Sequence, residues 1–139
     1  YLINEITAAF LWAQLEEAWN IVEKRLEVWN QYHCALDLLE VKGQLRRPII
    51  PKECAHHNGH IYYVLFNTPK DRDAAMNTMK RLDILSVFHY IPLDTAKAGI
   101  IHGKTSGTPL EVTYSVSERL LRLPLFCNLQ EIERIVSCL

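Results

Sequence analysis

Between residues 6 and 15 the apolar positions form no stripe: Ile6, Ala8, Ala9, Phe10, Leu11, Trp12, Ala13 and Leu15 are interrupted only by Thr7 and Gln14. Asn4 supplies a capping side chain for a helix beginning at Glu5. A helix that is apolar all round is normally buried on every side. Beyond Glu16 the pattern changes. Val22, Leu26, Trp29, Leu36 and Leu39 recur at helical spacing with Glu23, Lys24, Arg25, Glu27 and Asn30 between them, which predicts an amphipathic helix stopped at Gly43. One long helix, or two abutting ones, thus leaves one environment and enters another. A chain of this size has little material to surround the first part. Residues 1–17 are therefore expected to pack on a domain or subunit outside this sequence, and residues 18–139 to form a domain.

Leu45 to Ile50 is a short strand-like run bracketed by Pro48 and Pro51, which suits a sheet edge. His60 to Phe66, rich in aromatic and β-branched residues, predicts a stronger strand. Thr68 followed by Pro69 opens a helix to about Leu82. Ile84 to Ile91 predicts a further, buried strand that ends at Pro92, because proline cannot donate to a ladder. Ser115 with Glu118, and Asn128 with Glu131, have the spacing of capping boxes. They predict one helix ended by Pro124 and a last helix with Leu129, Ile132, Val136 and Leu139 on one face. The sum is a strand–helix–strand core flanked by helices, a small α+β layer.

Candidate chemistry collects after the third of these strands. The run from Pro92 to about Tyr114 is loop-like and holds three of the five glycines, Gly99, Gly103 and Gly107. Long ordered loops usually bind something. His89, Tyr90, Lys97, His102 and Lys104 lie on or beside it, and such donors and cations without an acid cluster suit a phosphate or a sugar. Strand alternation would send one of His89 and Tyr90 to the core and the other to a cleft. No carboxylate nearby in sequence orients the His89 imidazole for acid–base work, and a satisfied structural histidine is the plain alternative. Cys54, His56 and His60 have a plausible zinc spacing, but no second cluster completes a tetrahedral set, and a polar loop entering a strand accounts for them. Arg46 and Arg47 read as a solvated pair, and Phe10, Trp12, Trp19 and Trp29 as packing residues. The GxSxG, HExxH, GxGxxG and P-loop signatures are absent.

Composition narrows the picture without naming a reaction. A length of 139 residues and an apolar content of 49% suit one domain with a real core. The net charge of -1 offers no electrostatic reason to expect nucleic acid or an anionic membrane. No apolar run approaches the roughly 20 residues of a membrane span, and no basic leader opens the chain. Four widely spaced cysteines, Cys34, Cys54, Cys127 and Cys138, contain no CxxC pair and fit a reducing cytoplasm. The chain opens on Tyr1, not methionine, and is expected to continue a longer polypeptide. These residues alone describe a soluble α+β domain that packs on something larger and contacts a polar anionic ligand. A non-catalytic ligand-binding or dimerisation module is the alternative.

Four segments carry a resemblance: residues 6–16 (ITAAFLWAQLE), 57–63 (HNGHIYY), 87–93 (VFHYIPL) and 117–126 (SERLLRLPLF). In this order and at about this spacing they resemble the C-terminal part of the DegT/StrS family of sugar-nucleotide aminotransferases, nearest to the TDP-4-oxo-6-deoxy-D-glucose 4-aminotransferases. The resemblance implies the small C-terminal domain of a fold-type I transferase, with a short, mostly antiparallel sheet flanked by helices behind a long N-terminal helix. It implies an enzyme that uses pyridoxal phosphate to move an amino group, typically from glutamate, to a TDP-4-keto-6-deoxy sugar for lipopolysaccharide or related glycans. It also implies a cytoplasmic homodimer with sites at the subunit interface, which would set Tyr1 beside a neighbour's cofactor. The family's cofactor lysine, pyridinium-pairing acid and phosphate-cradling residues fall upstream of Tyr1. This chain by itself is therefore expected to hold no pyridoxal phosphate and no catalytic residue. Its expected contribution is substrate grip through His60, His89, Tyr90 and His102. Asp94 departs from the family pattern, in which a histidine usually follows Pro-Leu, and a carboxylate facing a sugar diphosphate would repel it.

Overall fold

Helix α1 (Glu5–Glu16) begins where the Asn4 side chain accepts the Thr7 amide hydrogen at 2.8 Å. The structure, a computed structural model, describes residues 2–54, 56–105, 107 and 110–139. No residue of α1 is buried, and Ile6, Phe10 and Trp12 are 85%, 69% and 67% exposed. The helical run breaks at Glu17, continues as α2 (Ala18–Ala35), breaks again at Leu36 and ends in the short α3 (Asp37–Val41). Gly43 then turns the chain at φ +70°, the left-handed stop its position suggested.

Strands β1 (Leu45–Arg46), β2 (Tyr62–Phe66) and β3 (Leu120–Leu123) make one antiparallel sheet in the order β1-β2-β3. Alternation sorts the side chains. Tyr62, Val64 and Phe66 are buried, and the register sets them opposite Leu123, Leu121 and Leu45, which are buried too. Onto this face α2 brings Val28, Trp29 and Tyr32, α4 (Pro69–Arg81) brings Ala75 and Met79, and α7 (Ile132–Val136) brings Ile132 and Ile135. Removing each large apolar side chain from water contributes ~1.5–3 kcal/mol. Tyr32 and Tyr62 meet at 5.1 Å between ring centroids, and the Tyr32 hydroxyl donates to the Pro124 carbonyl at 2.9 Å. Burial pushes both phenols well above the ordinary tyrosine range, so they keep their protons. Thr68 caps α4 through the Asp71 amide with Pro69 at the first turn, as the sequence predicts.

The third strand differs from expectation. Ile84–Ile91 is not a strand, and only Ile84 of it is buried: only Val87 pairs, in a single bridge to Arg122, and Val87, Phe88, Tyr90 and Ile91 are exposed. The outer edge of a four-residue strand offers little to pair with, and Pro92 stops any extension. The third strand is instead Leu120–Leu123, which the capping-box reading assigned to a helix running to Pro124. Helix α6 (Glu111–Arg119) starts ahead of Ser115, so Ser115 is interior to it, and pairing with β2 draws Leu120 out into extended backbone. Asn128 is a left-handed turn residue at φ +67°, and α7 starts after Glu131 without a side-chain cap. Pro48 lacks the amide hydrogen a ladder needs, and β1 is confined to Leu45–Arg46. The loop-like run after Pro92 contains a helix, α5 (Lys97–His102).

Candidate functional site

One wall of the site is a loop clamped to α2. Gly59 is buried at φ +54°, and a Cβ there would lie 3.2 Å from the Leu26 Cδ2 and 3.3 Å from the backbone of Arg25 and Leu26. Only glycine accepts both that dihedral and that approach without strain. Arg25 Nη2 donates to the Asn58 carbonyl at 2.9 Å, and the Asn58 side-chain oxygen accepts the His60 amide hydrogen at 3.0 Å. Trp29 closes the clamp. Its indole N–H donates to the Ile61 carbonyl at 3.2 Å, and the His57 ring meets it edge-on at 4.7 Å.

The opposite wall is delivered by the single bridge between Val87 and Arg122. Carried two residues on, that antiparallel register sets His89 opposite Leu120. His89 is half-buried, and its Nδ1 is enclosed without a hydrogen-bond partner among the described residues. The Tyr90 ring stands edge-on to it at 4.5 Å and is 68% exposed. A cavity of about 380 Å³ collects His57, Asn58 and His60 from the loop, Tyr63 from β2, and His89 and Leu120. A second, of about 350 Å³, is lined by His89, Tyr90, Pro92, Val112, Val116 and Leu120. His89 and Leu120 belong to both. The structure therefore brings His60 to His89 and His89 to Tyr90, while His102, exposed at the end of α5, lines neither cavity. Tyr1 lies outside the described residues. Cys54 and His56 are exposed, and among the described residues no three His, Cys, Asp or Glu side chains converge to hold a metal.

Arg47 is not the solvated residue the sequence suggested. Its backbone N–H and Nε donate to the two Glu40 carboxylate oxygens at 2.8 and 2.6 Å, its Nη2 to Asp37 at 2.8 Å, and its Nη1 to the His33 carbonyl. The network braces the turn into Pro48, Ile49 and Ile50, which line the larger cavity. Nothing in local sequence signals it, because its partners lie on a helix that precedes the strand. His33 stacks on Trp29 at 4.7 Å and reaches the Tyr62 hydroxyl through Nδ1 at 3.3 Å. Burial, then the Arg47 charge, holds the His33 imidazole below its ordinary pKa. The Arg47 backbone N–H, with its guanidinium, lowers that of Glu40. Of the tryptophans and Phe10, only Trp29 packs inside, and Phe10, Trp12 and Trp19 are exposed. Asp94 accepts a hydrogen bond from the Tyr114 hydroxyl, which pushes the Tyr114 phenol up.

Residues 1–139 match the DegT/DnrJ/EryC1/StrS aminotransferase family. The chain belongs to that family. Its fold is similar to the aminotransferase TlmJ from Streptoalloteichus hindustanus, with a TM-score of 0.81 and 23% identity over 99% of this chain and 36% of that one. Helicobacter pylori PseC, an aminotransferase involved in the biosynthesis of pseudoaminic acid, gives 0.83 and 19% over 99% and 37%. DesV of S. venezuelae, solved in complex with a ketimine intermediate, gives 0.82 and 19% over 98% and 35%. At these identities the likeness is one of fold, and it places this α+β unit within fold-type I aminotransferases. The chain spans about a third of the length of each. Aminotransferases of this family work through pyridoxal phosphate, which is held by a lysine amine. Neither cavity is lined by a lysine, so the residues around them do not fit that cofactor.

Proposed function

We propose that this chain is the substrate-gripping small domain of a pyridoxal-phosphate-dependent aminotransferase acting on a TDP-4-keto-6-deoxy sugar, with glutamate as the usual amino donor. The whole protein is a cytoplasmic homodimer serving lipopolysaccharide or related glycan synthesis, and residues 1–17 pack on its large domain. Bare apolar side chains along α1 support that packing. Among the described residues no helix is long and apolar enough to cross a membrane. The chain supplies no catalytic residue of its own.

His89 is the observation that carries this reading. Its enclosed Nδ1 lacks a partner among the described residues, and a buried polar atom without one costs free energy that a ligand hydrogen bond recovers. On one side Asn58, His57 and His60 offer hydrogen bonds to hydroxyls or phosphate. On the other, Pro92, Val112 and Val116 suit the methyl carbon of a 6-deoxy sugar, with the Tyr90 ring beside it. His102 is the remaining grip residue, carried on α5 outside both cavities. In the whole enzyme, His89→Ala should raise KM for the TDP-4-keto-6-deoxy sugar about tenfold and leave the cofactor absorbance unchanged. An unchanged KM with a disturbed cofactor spectrum would overturn the assignment. A non-catalytic dimerisation module, which the exposed α1 also suits, would show no amino transfer in any longer form of the protein.

A further inference from the structure

Residues 92–102 form a lobe that packs on itself and barely on the rest. The Pro92 carbonyl accepts from the Thr95 and Ala96 amides at 3.1 and 3.0 Å and from the Thr95 hydroxyl at 3.0 Å. Ile100 N–H donates to Ala96, and Gly103 N–H to Gly99, continuing the turn. A Cβ on Gly99 would run into the Leu93 carbonyl oxygen, so the two halves of the lobe are in direct backbone contact. Yet no residue from Pro92 to His102 is buried. Among the described residues, one hydrogen bond leaves the lobe for the body: Tyr114 Oη–H to the Asp94 carboxylate.

That bond joins the two walls of the smaller cavity. Pro92, two residues before Asp94, lines it from the lobe side, and Thr113, Val116 and Ser117, which flank Tyr114 on α6, line it from the other. A small piece attached by little buried surface and one bond is the kind of element that opens locally while the core stays closed. We propose that residues 92–102 are a lid on the His89 cavity and that the Asp94–Tyr114 hydrogen bond is its latch. The lid carries Lys97 and His102. This rests on the reading of the His89 cavity as the substrate site. It also gives Asp94 a role directed at α6 and not at the ligand. The raised Tyr114 phenol agrees with a proton held in the latch.

The test uses this chain and no substrate. Hydrogen exchange of the wild type, Tyr114→Phe and Asp94→Asn should show amides 95–103 exchanging about tenfold faster in Tyr114→Phe, and less so in Asp94→Asn, which keeps an acceptor. Amides of Tyr62–Phe66 should be unchanged. Diethyl pyrocarbonate should then modify His89 about tenfold faster in Tyr114→Phe while the rate at exposed His60 stays the same. Unchanged lobe exchange, or equal acceleration in β2, would overturn the latch. A freed lobe with no gain in His89 reactivity would overturn the lid. Either failure leaves the aminotransferase reading standing, because that reading is tested by the His89→Ala kinetics.

Discussion

The Trp29 indole donates to the Ile61 carbonyl at 3.2 Å, and this bond ties α2 to the loop that presents His57, Asn58 and His60. A core helix thereby sets the geometry of a cavity wall. Trp29→Phe keeps most of the packing but leaves the carbonyl without its donor. It should cost about 1–2 kcal/mol in urea unfolding. A midpoint equal to wild type would show that the bond contributes nothing.

Gly59 enforces the same wall from the loop side. Gly59→Ala should destabilise by about 1–2 kcal/mol, since it meets both a left-handed dihedral and a tight contact with α2. The shift should be visible as a lower melting temperature and as displaced His57 and His60 imidazole resonances. Unmoved resonances would separate the glycine from the site.

Tyr32 is wholly buried, and among the described residues its hydroxyl has one partner, the Pro124 carbonyl. Tyr32→Phe removes the donor and leaves that acceptor to be satisfied in the core, at a cost of about 1–3 kcal/mol. Chemical denaturation measures it directly.

Acid should destabilise the fold in two stages. His33 has a folded pKa below its ordinary 6.5, so the unfolded chain binds the proton more readily. The stability it contributes is present above pH 6.5 and is lost as pH falls through the lowered value. Glu40 is likewise depressed from 4.5, and its contribution is lost below that pH. Urea midpoints should begin to fall just below pH 6.5 in wild type. In His33→Phe the first stage should be missing, and a profile identical to wild type would rule His33 out.

No side chain of α1 is buried. Removing residues 1–16 should therefore shift the melting temperature by no more than about 2 °C. The intact chain should self-associate in sedimentation experiments through Phe10, Trp12 and their neighbours, and Phe10→Glu with Trp12→Glu should return it to a monomer. A monomeric intact chain at high concentration would show that this face is not sticky enough to act as an interface.

Residue order by itself determined the features whose physics is local. Asn4 and Thr68–Pro69 start helices, Gly43 stops one, and Tyr62–Phe66 is a strand, because each answers backbone needs within a few residues. The family was legible too, in four segments spread along the chain. Tertiary structure decided what depends on a distant partner. Leu120–Leu123 is a strand only because β2 lies beside it, and Ile84–Ile91 is not one because a single bridge is all β3 leaves it. Arg47 is fixed by acids on α3, and Asp94 is turned to α6 by Tyr114. His89 and His60 share a cavity because one sits on the bridged segment and the other on a loop pinned by Trp29, a meeting that no spacing along the chain encodes.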